Sequence, residues 1–126
     1  MKPEVKEAWL KALRSGEYQQ GIDFLRTDEG FCCLGVLCDV YDKQNNNTQS
    51  LWKNYNSEHG KTTDYFYLDE VGVLPEKVRE WAGLNDSSPH VYVKKANGGI
   101  NCIGLTVLND EGKDFNQIAD VIEKHF

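Results

Sequence analysis

The chain has 126 residues, 40% of them apolar, with three Trp, six Tyr and five Phe; it can close one hydrophobic core and is too aromatic for a disordered polyelectrolyte. A net charge of −6, with Arg14, Arg26 and Arg79 the only arginines and no basic run, argues against general nucleic-acid binding, whose affinity rests on neutralised phosphates. No apolar run approaches the roughly eighteen residues of a membrane span, and Met1-Lys2-Pro3-Glu4-Val5-Lys6-Glu7 is charged where a signal peptide needs an apolar stretch, so a cytoplasmic location is expected.

Residues 3–14 place Val5, Ala8, Trp9, Ala12 and Leu13 at helical spacing, with Pro3 suited to a first turn and Ser15-Gly16 as a stop. Residues 18–27 read as extended chain with Ile22 and Phe24 on one face, and Thr27-Asp28-Glu29-Gly30 reads as a turn. Residues 31–42 are apolar nearly all round. They are long for a buried strand, so a helix at the centre of the core is expected. Residues 44–50, with three consecutive asparagines, read as a loop, and residues 51–67 as one or two strands broken at His59-Gly60.

Leu74 to Leu84 predicts a short helix opened by Pro75 and closed by Gly83, with Leu74, Val78 and Trp81 inward. Val91 and Val93 mark a strand that Asn97-Gly98-Gly99 ends. A helical hairpin is expected to follow. Residues 103–108 lead to the turn Asn109-Asp110-Glu111-Gly112, and Asp114 with Gln117 forms a capping box for a final helix whose inward face is Phe115, Ile118, Ala119, Ile122 and Phe126. The expectation is one α+β domain over residues 1–126, with about four to five helices and a buried central helix on a small antiparallel sheet.

Several residues are candidates for chemistry. Cys32, Cys33 and Cys38 crowd the apolar segment and Cys102 is remote. On a helix Cys32 and Cys33 diverge, so free, buried thiols are expected, although a thiol at a helix start can also be a nucleophile. None of His59, His90 and His125 lies near a cysteine in the sequence, so no metal or cofactor is expected. Arg26, Thr27 and Asp28 sit at the mouth of the central helix. Either an anion binds there with Arg26 as counter-ion, or Asp28 caps the helix and Arg26 pairs with a carboxylate. Asn109-Asp110 is a second polar pair, readable as an Asx turn. Glu111 to Ala119 resembles the opening of a helix-turn-helix, but Asp120 and Glu123 against Lys124 point to packing instead.

Three blocks stand in a distinctive order: Leu25-Arg26-Thr27-Asp28-Glu29-Gly30-Phe31-Cys32-Cys33-Leu34-Gly35-Val36-Leu37-Cys38-Asp39, then Trp81-Ala82-Gly83-Leu84, then Leu108-Asn109-Asp110-Glu111-Gly112 with Phe115, Ile118-Ala119-Asp120 and Ile122-Glu123. Together with Trp9-Leu10-Lys11-Ala12-Leu13-Arg14-Ser15-Gly16-Glu17-Tyr18, they resemble a family of small proteins carried by phages and prophages. The family has no established activity and lends no catalytic residues. The resemblance implies an accessory factor without catalytic activity that counteracts host defence, either by binding a host defence protein or by sequestering a nucleotide-derived signal.

A pocket for such a signal would draw on Arg26, Asp28, Trp52, Tyr65, Asn109 and Asp110. The acidic surface could instead imitate nucleic acid and occupy a basic host protein. The rival readings are a small thiol-dependent hydrolase or transferase using Cys32 or Cys33, and a module that assembles with itself.

Overall fold

The computed structural model describes residues 1–45, 49–56 and 63–126. The expected loop over 44–50 falls partly outside them, since Gln44 and Asn45 still belong to a helix; the expected break at His59-Gly60 lies outside them altogether. In chain order the elements are α1 (Pro3–Arg14), β1 (Arg26–Thr27), β2 (Gly30–Phe31), α2 (Cys33–Asn45), β3 (Trp52–Asn56), β4 (Thr63–Tyr67), α3 (Glu76–Ala82), β5 (His90–Lys94), β6 (Ile100–Gly104), α4 (Leu105–Asp110) and α5 (Phe115–His125). The fold is α+β, with five helices and two small antiparallel sheets among the described residues. No described helix is long and apolar enough to cross a membrane.

The core forms around α2. Its first eight residues and Asp42 are buried, so the helix has almost no solvent face until its last turn. Helix α1 buries Val5, Trp9 and Leu13, one position per turn, and fixes its depth by donating the Trp9 indole N–H to the Cys33 carbonyl at 3.0 Å. Helix α5 presses Ile118, Ala119 and Ile122 into the same core, and its start carries the complete Asp114–Gln117 capping box. Helix α3 begins after Pro75 and stops at Gly83, whose φ of 73° is left-handed and closes the last turn onto the Arg79 and Glu80 carbonyls.

The larger sheet has strand order β2-β1-β4-β3 and the smaller one pairs β5 with β6. Where α2 begins it lies against β1 so closely that a Cβ on Gly35 would stand 1.8 Å from the Leu25 carbonyl oxygen. Only glycine permits that approach.

Three expectations need correction. Most of residues 18–27 is irregular, only Arg26 and Thr27 being strand, and Ile22 and Phe24 are 53% and 37% exposed. The backbone pairing of the irregular part is limited, among the described residues, to a single parallel bridge at Gln20 opposite Phe31: Gly21 N–H donates to the Phe31 carbonyl at 2.7 Å, and Phe31 N–H to that of Gln19 at 2.8 Å. Phe31 is therefore a strand residue, and α2 starts two residues later. Ile103 belongs to β6, because the turn after Lys94 folds the chain back into a hairpin before α4 begins.

Candidate functional site

Antiparallel register assembles the candidate site. Arg26 on β1 lies opposite Phe31 on β2 and Tyr65 on β4, and Tyr65 lies opposite Asn54 on β3. Trp52, two residues from Asn54, shares its face by the strand period of two. The Arg26 guanidinium carbon then sits 4.3 Å from the Tyr65 ring centroid, 4.9 Å from that of Phe31 and 5.5 Å from that of Trp52. All four side chains are half-buried. Contacts of this kind contribute roughly 0.5–2 kcal/mol each according to desolvation, enough to fix a long side chain in one pose. Among the described residues Arg26 makes no ion pair and no hydrogen bond, so the expected pairing with a carboxylate is corrected.

Beneath this basket lies a polar layer that the sequence reading missed. Asp39 and Asp42 on α2 are 8% and 5% exposed. Asp39 accepts from the Trp52 indole N–H at 3.1 Å and the Tyr18 hydroxyl at 2.5 Å, and pairs with Lys43 at 3.2 Å. Asp42 accepts from the Tyr67 hydroxyl at 2.9 Å and the Leu51 N–H at 2.8 Å. Burial, aided by the hydrogen bond to Asp39, pushes the Tyr18 phenol up to about 12; burial and the bond to Asp42 raise Tyr67 as well. Edge-on contacts of Phe31 with Tyr18 at 5.1 Å and with Trp52 at 5.9 Å join the two layers. A signal was present in the sequence: two aspartates on an otherwise apolar helix must find buried donors, and Tyr and Trp supply them.

Asp28 does not cap α2. It is exposed in the β1–β2 turn, where the Tyr65 hydroxyl stands 3.5 Å from its Oδ1. The group facing the first N–H groups of α2 is the Cys32 thiol, set against Leu34 and Gly35. Despite those donors, burial pushes this thiol up to about 11, and burial raises Cys33 and Cys38 well above their ordinary value. All four cysteines are free, and Cys102 alone among them is exposed. The three core thiols are therefore protonated near neutral pH and shielded from reagents.

Arg26, Asp28, Trp52 and Tyr65 thus come together, whereas Asn109 and Asp110 serve a different junction. Asn109, 1% exposed, accepts from the Gln20 side-chain amide at 2.9 Å and donates to the Gly21 carbonyl at 2.8 Å. Asp110 accepts from the Asp23 N–H at 3.1 Å, next to the left-handed φ of 70° at Asp23. The pair fastens the 20–23 loop to α4, and the Asn109 amide has no group left over for a ligand. The chemistry offered at Arg26 is electrostatic and stacking: a guanidinium whose N–H groups make no hydrogen bond among the described residues, bordered by aromatic faces.

No curated protein and no solved structure matches this chain. A family model does, over residues 1–126, and the chain belongs to the family described as "Domain of unknown function (DUF8296)".

Proposed function

We infer that the protein binds rather than catalyses, and that it captures the anionic part of a nucleotide-like molecule at Arg26. The observation that carries this reading is the state of Arg26: its guanidinium is held among Phe31, Trp52 and Tyr65, yet it has no ion pair or hydrogen bond among the described residues. Rings that fix the plane of a guanidinium leave its edge able to take a phosphate or carboxylate through two parallel hydrogen bonds. The surrounding rings also offer stacking area to a base. The thiol-enzyme reading loses support because Cys32, Cys33 and Cys38 are buried with raised pKa values. In the phage setting that the sequence blocks imply, such capture would withdraw a nucleotide-derived defence signal.

Native mass spectrometry against mononucleotides and cyclic dinucleotides, followed by calorimetry of any hit, tests this. A discrete, reversible added mass is expected. Arg26→Ala should weaken capture roughly 30- to 100-fold, the loss of one bidentate charged contact, while Arg26→Lys recovers only part of it. Unchanged capture by Arg26→Ala would remove Arg26 from the site. No added mass, with a host defence protein binding directly instead, would replace the small-ligand reading.

A further inference from the structure

Between Asp86 and Asp110 the chain has no acidic residue, although acids make up 20 of its 126 residues. The stretch contains Lys94 and Lys95 and folds into the β5–β6 hairpin and α4. It also carries Tyr92, Ile100 and Val107, which are 62%, 69% and 45% exposed. Exposed apolar side chains on a stretch without acids of its own, with the Asp86 carboxylate 3.6 Å from His90 at its border, call for a partner on a chain of net charge −6.

The hairpin's ladder shows which backbone groups on its β6 edge are open. Lys95 N–H donates to the Gly99 carbonyl at 2.7 Å, and Leu105 N–H to the Pro89 carbonyl at 2.9 Å. With the register Val91↔Ile103 and Val93↔Asn101, antiparallel alternation makes those the hydrogen-bonded pairs. The backbone groups of Ile100 and Cys102 and the Gly104 N–H therefore point away from β5, while the Gly104 carbonyl, at the N-cap of α4, accepts the first bond of that helix. Among the described residues no strand pairs with that edge. Ile100, Asn101 and Cys102 are exposed in succession, so both faces of this half of β6 are open as well.

We propose that β6 pairs antiparallel with β6 of a second copy, about a two-fold axis at Cys102, to form a four-stranded sheet across a symmetric dimer. Three features favour a second copy over another occupant. An antiparallel edge is self-complementary: Cys102 exchanges both outward backbone bonds with its twin, and each Gly104 N–H meets the Ile100 carbonyl of the other copy. Two chains of charge −6 repel over most of their surfaces, whereas β6 itself brings no carboxylate to the contact, the Asp86 carboxylate being held 3.6 Å from His90 on β5. The register then aligns Tyr92, Cys102 and their twins in one exposed row, while Lys94 shares a row with Ile100 and the second copy's Gly104 and His90, keeping the lysines apart.

Sedimentation equilibrium over a concentration series tests the proposal independently of the ligand reading. The mass should rise from 14.4 kDa towards twice that value, at lower protein concentration as added sodium chloride screens the net charge. A short bis-maleimide should link two chains at Cys102, the exposed thiol. Cys102→Pro, which removes an N–H pointing only outward, should stay monomeric with an unchanged far-ultraviolet spectrum. Ile100→Glu, which leaves the backbone intact and adds a carboxylate to the contact, should weaken association at least tenfold and decides the matter if the proline variant fails to fold. A wild-type chain that stays monomeric at every concentration overturns the proposal, as does a dimer that Ile100→Glu leaves at full strength.

Discussion

Replacing Asp39 by alanine tests the layer that holds the candidate site. The substitution removes the acceptor for the Trp52 indole and the Tyr18 hydroxyl, and the ion-pair partner of Lys43. A hydrogen bond to a charged group contributes about 1.5–3 kcal/mol. The Lys43 side chain is 66% exposed, so its pairing adds little, about 0–1 kcal/mol. The Tyr18 hydroxyl loses its acceptor, but its ring is only half-buried, so water can take that bond and soften the loss on that side. The indole N–H keeps nothing among these partners, and its ring is only half-buried, so water recovers part of that bond. The sum is a destabilisation of about 3–4 kcal/mol, large against the 5–15 kcal/mol typical of a domain but not enough to unfold it. Urea unfolding followed by tryptophan fluorescence measures it, with the slope expected unchanged. A double-mutant cycle with Trp52→Phe should return a coupling of about 1–2 kcal/mol. A loss under about 1 kcal/mol for Asp39→Ala, or no coupling to Trp52, would refute the claim that this carboxylate anchors the aromatic face.

Gly35→Ala should cost at least about 3 kcal/mol, because the added methyl meets the Leu25 carbonyl carbon at 2.7 Å as well as its oxygen and the two backbones must separate; a melting temperature near wild type would show that the α2–β1 junction is looser than described. Stability should also fall in alkali. Tyr18 rises from 10.0 to about 12 and Cys32 from 9.0 to about 11, so the folded state holds these protons more tightly. Their contribution is complete below pH 9 and disappears as pH climbs through 11 to 12. A urea midpoint that does not move between about pH 9 and pH 11.5 would contradict this sign. Of the four thiols, Cys102 should react with a disulfide reagent at once, and the other three only as the chain unfolds. Fast labelling of Cys32 or Cys33 in the folded protein would restore the thiol-enzyme reading.

The helices were legible because their signals are local. Pro3, the Val5–Trp9–Leu13 spacing, the Pro75 and Gly83 pair and the Asp114–Gln117 box each act within a turn or two of chain. The central helix was readable from its apolar run, while its start was not: Phe31 looks like helix by composition and became strand through partners at Gln19, Gly21 and Arg26. The larger sheet was the hardest part, since β1 and β2 have two residues each and exist only through register with each other and with β4. For the site, reading by residue type picked out Arg26, Trp52 and Tyr65, but nothing in sequence separation says that Asn109 turns towards Gly21 instead.

The two buried aspartates bear on what the aromatic face is for. A core built only for stability would place apolar residues at 39 and 42, because removing a carboxylate from water costs several kcal/mol that its hydrogen bonds rarely do more than offset. What the carboxylates add is direction. Asp42 sets Tyr67 and the start of β3, Asp39 sets Trp52 and Tyr18, and Trp52 packs on Tyr67 at 4.8 Å. Phe31 is then held edge-on by Tyr18 and Trp52, so two of the three rings around Arg26, Phe31 and Trp52, have positions that trace back to one helix. An arginine on a two-residue strand would otherwise sample many rotamers, and ordering it at the moment of binding would cost affinity. The polar layer in α2 makes that ordering part of folding, which is the arrangement a pre-organised anion site needs and a purely structural helix does not.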